Sequence, residues 1–285
     1  MEIKTVAVVG AGTIGRGLAV DLAMHGYEVL LNDIAQDVLE QASKAMRSEL
    51  RSYRMLVQEY RETDDEALLG RIRFAPDVAM LAGAEFVIEN IVEHYDEKAR
   101  LYARLSGICG DATIYVVNTS CISITKLARH VPDASKMIGM HFMNPVPMKK
   151  FVEMVQGEST SGATIEAATA LVKRLGKDYV LVRDFPGFVA NRVMMLAVNE
   201  CAFVVQDNVA VPADVDKVFR LAFGHSMGPL ATADLIGLDT VLNSILVLFD
   251  EYKDPKYRPC PLLQKMVDAG YLGRKSGRGF FRYSK

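Results

Sequence analysis

Cysteine is scarce in this chain and unclustered. The four, Cys109, Cys121, Cys201 and Cys260, form no Cys-x-x-Cys pair, which argues against a disulfide framework or a zinc site. No metal is expected, and free thiols in a reducing cytoplasm are. Charge of one sign is not in excess either. The formal net charge is −2, so no global field draws the chain to nucleic acid. No apolar run approaches the roughly 20 residues of a membrane helix. The opening Met-Glu-Ile-Lys has no charged stretch ahead of an apolar one, so no signal peptide is expected.

What the chain does have is apolar periodicity. Half of its 285 residues are hydrophobic, enough for one large domain or two modest ones. Ile3–Val9, Tyr27–Asn32, Ile72–Phe74, Phe86–Ile91 and Thr113–Val117 read as strands. Helical spacing separates them at Ile14–His25, Ala35–Glu59 and Glu97–Ile108. Further strands are predicted at Met137–Phe142, Phe151–Val155 and Tyr179–Val182, with a helix near Ala163–Leu175. Strands alternating with helices predict βαβ units in a mostly parallel sheet. Continuous apolar strands fit a sheet covered on both faces. After Asp184-Phe-Pro-Gly187 almost everything reads helical: Phe188–Gln206, Ala213–Ala222, Pro229–Tyr252 and Leu262–Ala269. The expected architecture is α/β: a Rossmann-type domain over residues 1–184, then a smaller all-helical domain over 185–285.

Gly10-Ala-Gly-Thr-Ile-Gly15 fits Gly-x-Gly-x-x-Gly between a strand and a helix, the context that dinucleotide binding requires. Gly10 permits the sharp turn, Gly12 lets the backbone approach a pyrophosphate, and Gly15 lets helix and strand pack closely. Unpaired N–H groups at the helix start favour negative charge. Gly10, Gly12, Thr13, Ile14 and Gly15 are therefore the expected cofactor contacts. Asp33, at the end of the second strand, suits the two ribose hydroxyls and repels a 2′-phosphate, which favours NAD over NADP.

Oxidation of an alcohol needs a base, and histidine paired with a carboxylate suits that role near neutral pH. His141 ends a predicted strand, and Glu153 lies in the strand expected to pair back across Asn144-Pro-Val-Pro147. A histidine in a satisfied structural hydrogen bond would show the same spacing.

These segments resemble a known family. The chain is similar, nearly end to end, to short-chain 3-hydroxyacyl-CoA dehydrogenases, including bacterial 3-hydroxybutyryl-CoA dehydrogenases. The likeness rests on the glycine run, Glu89-Asn-Ile-Val-Glu93, Asn118-Thr-Ser120, His141-Phe-Met-Asn144-Pro-Val-Pro and Phe151-Val-Glu153. It continues through Pro186-Gly-Phe-Val-Ala-Asn191-Arg, Met227-Gly-Pro229, Ile236-Gly-Leu-Asp239 and Gly273-Arg-Lys-Ser-Gly277. The resemblance implies that His141 takes the hydroxyl proton and that Glu153 stabilises the imidazolium. It implies that Ser120 and Asn144 hold the substrate's oxygens. It implies that Asn191 reaches the active site from the helical domain, and that Glu93 and Lys98 line the nicotinamide end of the cleft. It also implies a homodimer formed through the helical domain.

Two places depart from the family. A serine and a lysine that contact the coenzyme A nucleotide fall, by distance from Asp33, at Glu49 and Leu56, with Arg51, Arg54 or Arg61 as the nearest substitutes. Met143 replaces a common phenylalanine, and Lys149-Lys150 brings two positive charges where one is usual. The expected substrate is an acyl-CoA thioester. The same chemistry on an acyl-carrier-protein thioester, such as a glyceryl group in a polyketide extender-unit pathway, is the alternative. A non-catalytic NAD-binding module would need neither the His–Glu pair nor Ser120.

Overall fold

In the computed structural model, which describes residues 3–284, the chain divides into two compact units, Met1–Asp184 and Phe185–Lys285. The first holds eight strands: β1 (Thr5–Val9), β2 (Glu28–Asn32), β3 (Ile72–Ala75), β4 (Phe86–Glu89), β5 (Ile114–Val117), β6 (Met137–Phe142), β7 (Phe151–Gln156) and β8 (Asp178–Arg183). Its helices are α1 (Thr13–Met24), α2 (Gln36–Leu56), α3 (Asp65–Leu69), α4 (Tyr95–Ser106), α5 (Ile124–Leu127) and α6 (Gly162–Arg174).

The strands form one sheet in the order β3-β2-β1-β4-β5-β6-β7-β8, parallel except where β6 meets β7. The first six reproduce the doubly wound nucleotide-binding order. β4 and β6 are buried at every position, as strands covered on both faces must be. β8, the sheet edge, is exposed or half-buried at every position. α2 buries Leu39, Ala42, Met46, Leu50 and Tyr53, a stripe three to four residues apart that lies on one helix face.

The chain order switches between β1 and β4, and ligands of such sheets bind beyond the strand ends at that point. Gly10 follows β1 there with φ +96, and a Cβ on it would lie 2.7 Å from the carbonyl oxygen of Asn90, just past β4. Only glycine accepts both conditions.

The second unit contains α7 (Ala190–Gln206), α8 (Pro212–Ala222), α9 (Pro229–Ile236), α10 (Leu238–Tyr252) and α11 (Pro261–Asp268). Met195, Val198, Leu238, Val241, Ile245 and Leu263 lie in its main core. Among the described residues no single helix is long and apolar enough to cross a membrane.

The single helix expected over Pro229–Tyr252 is corrected to two. α9 and α10 meet at Gly237, φ +106, with a bend of 100°. The apolar periodicity runs through this break, so spacing alone does not reveal it. The short helices α3 and α5 were not anticipated. Each is nucleated by its cap: Asp64 accepts from the Glu66 N–H, and Ser123 from the Lys126 N–H.

Candidate active site

Antiparallel pairing sets His141 of β6 directly opposite Glu153 of β7. The imidazole Nδ1 lies 3.1 Å from Glu153 Oε2, and Nε2 lies 3.1 Å from Ser120 Oγ. A carboxylate only accepts, so Nδ1 carries a proton, and in the neutral ring Nε2 then presents its lone pair. The pair is sheltered: His141 is 8% exposed and Glu153 1%.

Ser120 owes its place to Glu93, beyond the end of β4. Glu93 Oε1 accepts from the Ser120 N–H at 2.8 Å, the Thr119 hydroxyl at 2.5 Å and the Cys121 N–H at 3.3 Å. Asn118 ties the strand ends together. Its Nδ2 donates to Asn90 Oδ1 at 2.7 Å, and its Oδ1 accepts from the Phe142 N–H at 3.1 Å. Cys121 is buried rather than accessible. Asn144 lies exposed on the turn between β6 and β7, joined to Pro145 by a cis peptide bond.

The structure revises the expectation for Lys98. Its side chain is fully buried, and the ammonium donates to Glu89 Oε1 at 2.6 Å, Glu89 Oε2 at 2.8 Å and the Asn118 carbonyl at 3.0 Å. Three acceptors match its three N–H groups. A further carboxylate oxygen, Glu93 Oε2, lies 3.6 Å from the same ammonium. Lys98 therefore acts as an anchor behind the site and not as an open ligand contact. Burial pushes the Glu89 carboxyl up to about 7, against the opposing pull of Lys98 and of the Ile91 N–H. Glu89 and Asn118 appear in the quoted motifs, but sequence reasoning gave them no role. The one available signal was a carboxylate ending an otherwise apolar strand.

The dinucleotide end can be tested against its ligand. A Cβ on Gly12 would meet nothing within 4 Å, so no chain atom demands glycine there. The open space suits a pyrophosphate passing close to the backbone. The start of α1 has no side-chain cap, which leaves the N–H groups of Thr13, Ile14 and Gly15 for an anion. A Cβ on Gly15 would sit 1.8 Å from the Gly10 carbonyl, so that position is set by helix–turn packing. Asp33 departs from the simple reading, because its Oδ2 already accepts the Ala11 N–H at 2.8 Å. It holds the glycine turn with that oxygen.

Asn191 belongs to the second unit. The cap of α7 is Val189, and Asn191 is the second residue of the helix. Around the expected coenzyme A contacts, Glu49 is ion-paired to Arg16 at 2.8 Å, and Leu56 is 64% exposed. Arg54 is committed to Asp65 at 2.5 Å and to the Thr63 carbonyl at 2.7 Å. Lys150 pairs with Glu59 at 2.7 Å, while Lys149 is exposed. No group of three or more metal-ligating side chains is present among the described residues.

Residues 5–185 match the family model for the 3-hydroxyacyl-CoA dehydrogenase NAD-binding domain, and residues 187–283 match the model for the C-terminal domain of the same family. The chain belongs to the 3-hydroxyacyl-CoA dehydrogenase family. NAD is its cofactor. A probable 3-hydroxybutyryl-CoA dehydrogenase of Bacillus subtilis is 42% identical over 285 residues, spanning 100% of this chain and 99% of the relative. A 3-hydroxybutyryl-CoA dehydrogenase of Bradyrhizobium diazoefficiens is 40% identical over 283 residues, spanning 99% and 96%. The crystal structure of (S)-3-hydroxybutyryl-CoA dehydrogenase PaaH1 from Ralstonia eutropha superposes with a TM-score of 0.93 at 42% identity, covering all of both chains.

Asp33 yields a direct expectation. Asp33→Ala should weaken NAD binding by about 10–100-fold, the effect of one hydrogen bond to a charged group, and should narrow the preference over NADP. Kinetics with both cofactors measure this. An unchanged NAD/NADP ratio would show that Asp33 does not contact the ribose.

Proposed function

We propose that this protein interconverts a 3-hydroxyacyl-CoA and its 3-oxoacyl form, with His141 as the general base. The observation that carries this reading is the imidazole held between Glu153 and Ser120, with its lone pair on Nε2. Bound NAD supplies the hydride acceptor for the carbon that bears the hydroxyl. His141 Nε2 takes the hydroxyl proton, and Ser120 Oγ, already 3.1 Å from that nitrogen, orients the same oxygen. The imidazolium that forms faces the buried Glu153 carboxylate, which stabilises the charge without leaving its hydrogen bond. Asn144, with its amide donor, holds the thioester carbonyl. Glu93 keeps Ser120 in place at the nicotinamide end.

The carrier of the acyl group has a second reading. Glu49 is neutralised by Arg16, and Leu56 projects into solvent beside Met55, itself 78% exposed. Neither expected position therefore carries free positive charge of its own, and of the nearby arginines Arg54 is committed while Arg51 and Arg61 are exposed. This favours an acyl-carrier-protein thioester as the alternative, with the exposed Lys149 facing an acidic partner. The chain assembles as a homodimer through its helical unit. There, Val209, Val211, Val218, Leu221 and Phe223 are 54–74% exposed within one short segment, the kind of apolar patch that marks an interaction surface. The cytoplasm, where the four free cysteines stay reduced, is the assigned location.

One set of measurements tests these points. NADH formation is followed with 3-hydroxybutyryl-CoA and with the same acyl group on a carrier protein, alongside sedimentation of the enzyme. Turnover of the CoA ester at micromolar concentration by a dimeric species is expected. Turnover of the carrier-bound ester alone would replace the CoA reading with the second one. Inertness of both would end the dehydrogenase reading, and a monomer at assay concentration would end the dimer.

A further inference from the structure

The hairpin carrying His141 and Glu153 is anchored at its tip by a buried ion pair that the proposed chemistry does not use. Lys177 directly precedes β8 and is 4% exposed, and Asp21 lies in α1 and is 1% exposed. Lys177 Nζ donates to the Val146 carbonyl at 2.7 Å and the Lys149 carbonyl at 2.8 Å. These carbonyls bracket the 3₁₀ turn Val146–Met148, just after Asn144. The same Nζ lies 2.9 Å from Asp21 Oδ2, a contact between charges rather than a directed hydrogen bond. The other carboxylate oxygen accepts from the Tyr60 hydroxyl at 3.1 Å, and His25 Nδ1 lies 3.7 Å from it. Helix and turn also touch directly. A Cβ on Gly17 would meet Pro147 Cδ at 3.6 Å and Val146 Cβ at 3.7 Å.

A buried ion pair is a poor device for stability alone, because apolar residues of similar volume often serve as well or better. Its value lies in fixing one arrangement of the elements it joins. One of these elements is α1, whose open N-terminus suits the pyrophosphate. The other is the turn that bears Asn144 and connects the strands of His141 and Glu153. Both sides of the reaction depend on how these two elements are set against each other.

We propose that Asp21 and Lys177 are positioning residues that hold the acid–base hairpin in register with the NAD-binding helix. The inference rests on the dehydrogenase reading above for its kinetic consequence, but not for its structural one. Lys177→Met alone would strand the Asp21 carboxylate, so the test uses the double variant Asp21→Leu/Lys177→Met, which leaves no orphaned charge. NAD affinity, measured by calorimetry, should stay within about twofold, because the Gly10 turn at the start of α1 keeps its own backbone bond to Asn32 and Asp33 its bond to Ala11. Amide exchange over residues 144–149 should quicken about tenfold, with and without NAD, because the turn then opens locally. The kcat should fall by up to about 10²-fold, the effect of a misplacement near 1 Å. The deuterium isotope effect on kcat should rise with substrate labelled at the hydroxyl-bearing carbon. A variant that merely loses stability would lower Tm without changing that isotope effect. Lys177→Arg, which keeps charge and donors, should restore exchange toward wild type. If the double variant does not fold, Asp21→Asn/Lys177→Gln, which likewise strands no charge, is read in the same way. Wild-type exchange over 144–149 in the folded variant would overturn the proposal, and so would an unchanged kcat. If even the wild type turns over neither thioester, the dehydrogenase reading fails and the exchange result still decides the clasp.

Discussion

His141→Ala is expected to lower kcat on 3-hydroxybutyryl-CoA by about 10²–10⁴-fold, the range that a positioned general base contributes, with NAD affinity nearly unchanged. The separation of the two effects follows from the fold. His141 is on β6, whereas the glycine turn follows β1, with β4 and β5 between them in the sheet. Removal of the imidazole leaves Ser120 Oγ without its Nε2 partner, and an unassisted serine is a poor base. Alanine also leaves Glu153, 1% exposed, without its imidazole partner, so His141→Gln is the companion variant. Its amide nitrogen can donate to Glu153 while its oxygen faces Ser120. Both variants should bind NADH as wild type does and should show the same deep loss of turnover. An active glutamine or alanine enzyme would remove His141 from the role of base.

The parts of this protein that were legible in sequence are those whose physics is local. A strand, a glycine turn and a helix start lie within one stretch of 15 residues, so Gly10 to Gly15 announced itself. His141 and Glu153 are joined by one hairpin, and a single turn brings them face to face. Ser120 could be found only through the family resemblance. It reaches His141 from β5, and nothing in the spacing of 21 residues implies contact. The anchors behind the site were invisible for the same reason. Lys98 was marked only by the family resemblance, and its burial beside Glu89 of β4 and Asn118 just past β5 could not be read from its place on a helix. Asp21 reads as a polar residue on an apolar helix until Lys177 arrives from the far end of the sheet. Gly237 was passed over because the apolar period continues on both sides of it, while only its φ of +106 ends one helix and begins another.

Lys98→Met carries the second large effect, this time on stability, and its pH dependence identifies the cause. Glu89 is fully buried, and burial already pushes its carboxyl up to about 7 from an ordinary 4.5, with Lys98 as the foremost opposing influence. Without that ammonium the folded-state value must climb further. An acid whose folded value is raised adds stability that is fully present below the unfolded value and is lost as pH rises through the folded one. The variant should therefore resemble wild type near about pH 5, where Glu89 is protonated in both proteins. At about pH 8 it should fall behind by about 1.4 kcal/mol, since each pH unit above a wild-type value of about 7 is worth about 1.4 kcal/mol. Urea unfolding at the two pH values measures the difference. The double variant Glu89→Gln/Lys98→Met has no buried charge to strand, so it should recover most of the deficit and flatten its pH dependence. The consequence extends to the site, because Lys98 lies 3.6 Å from Glu93, the carboxylate that holds the Ser120 N–H. Loss of the ammonium should lower kcat in the single variant even at the pH where stability is retained. A deficit of the same size at both pH values would mean that the pair is not the source of the loss.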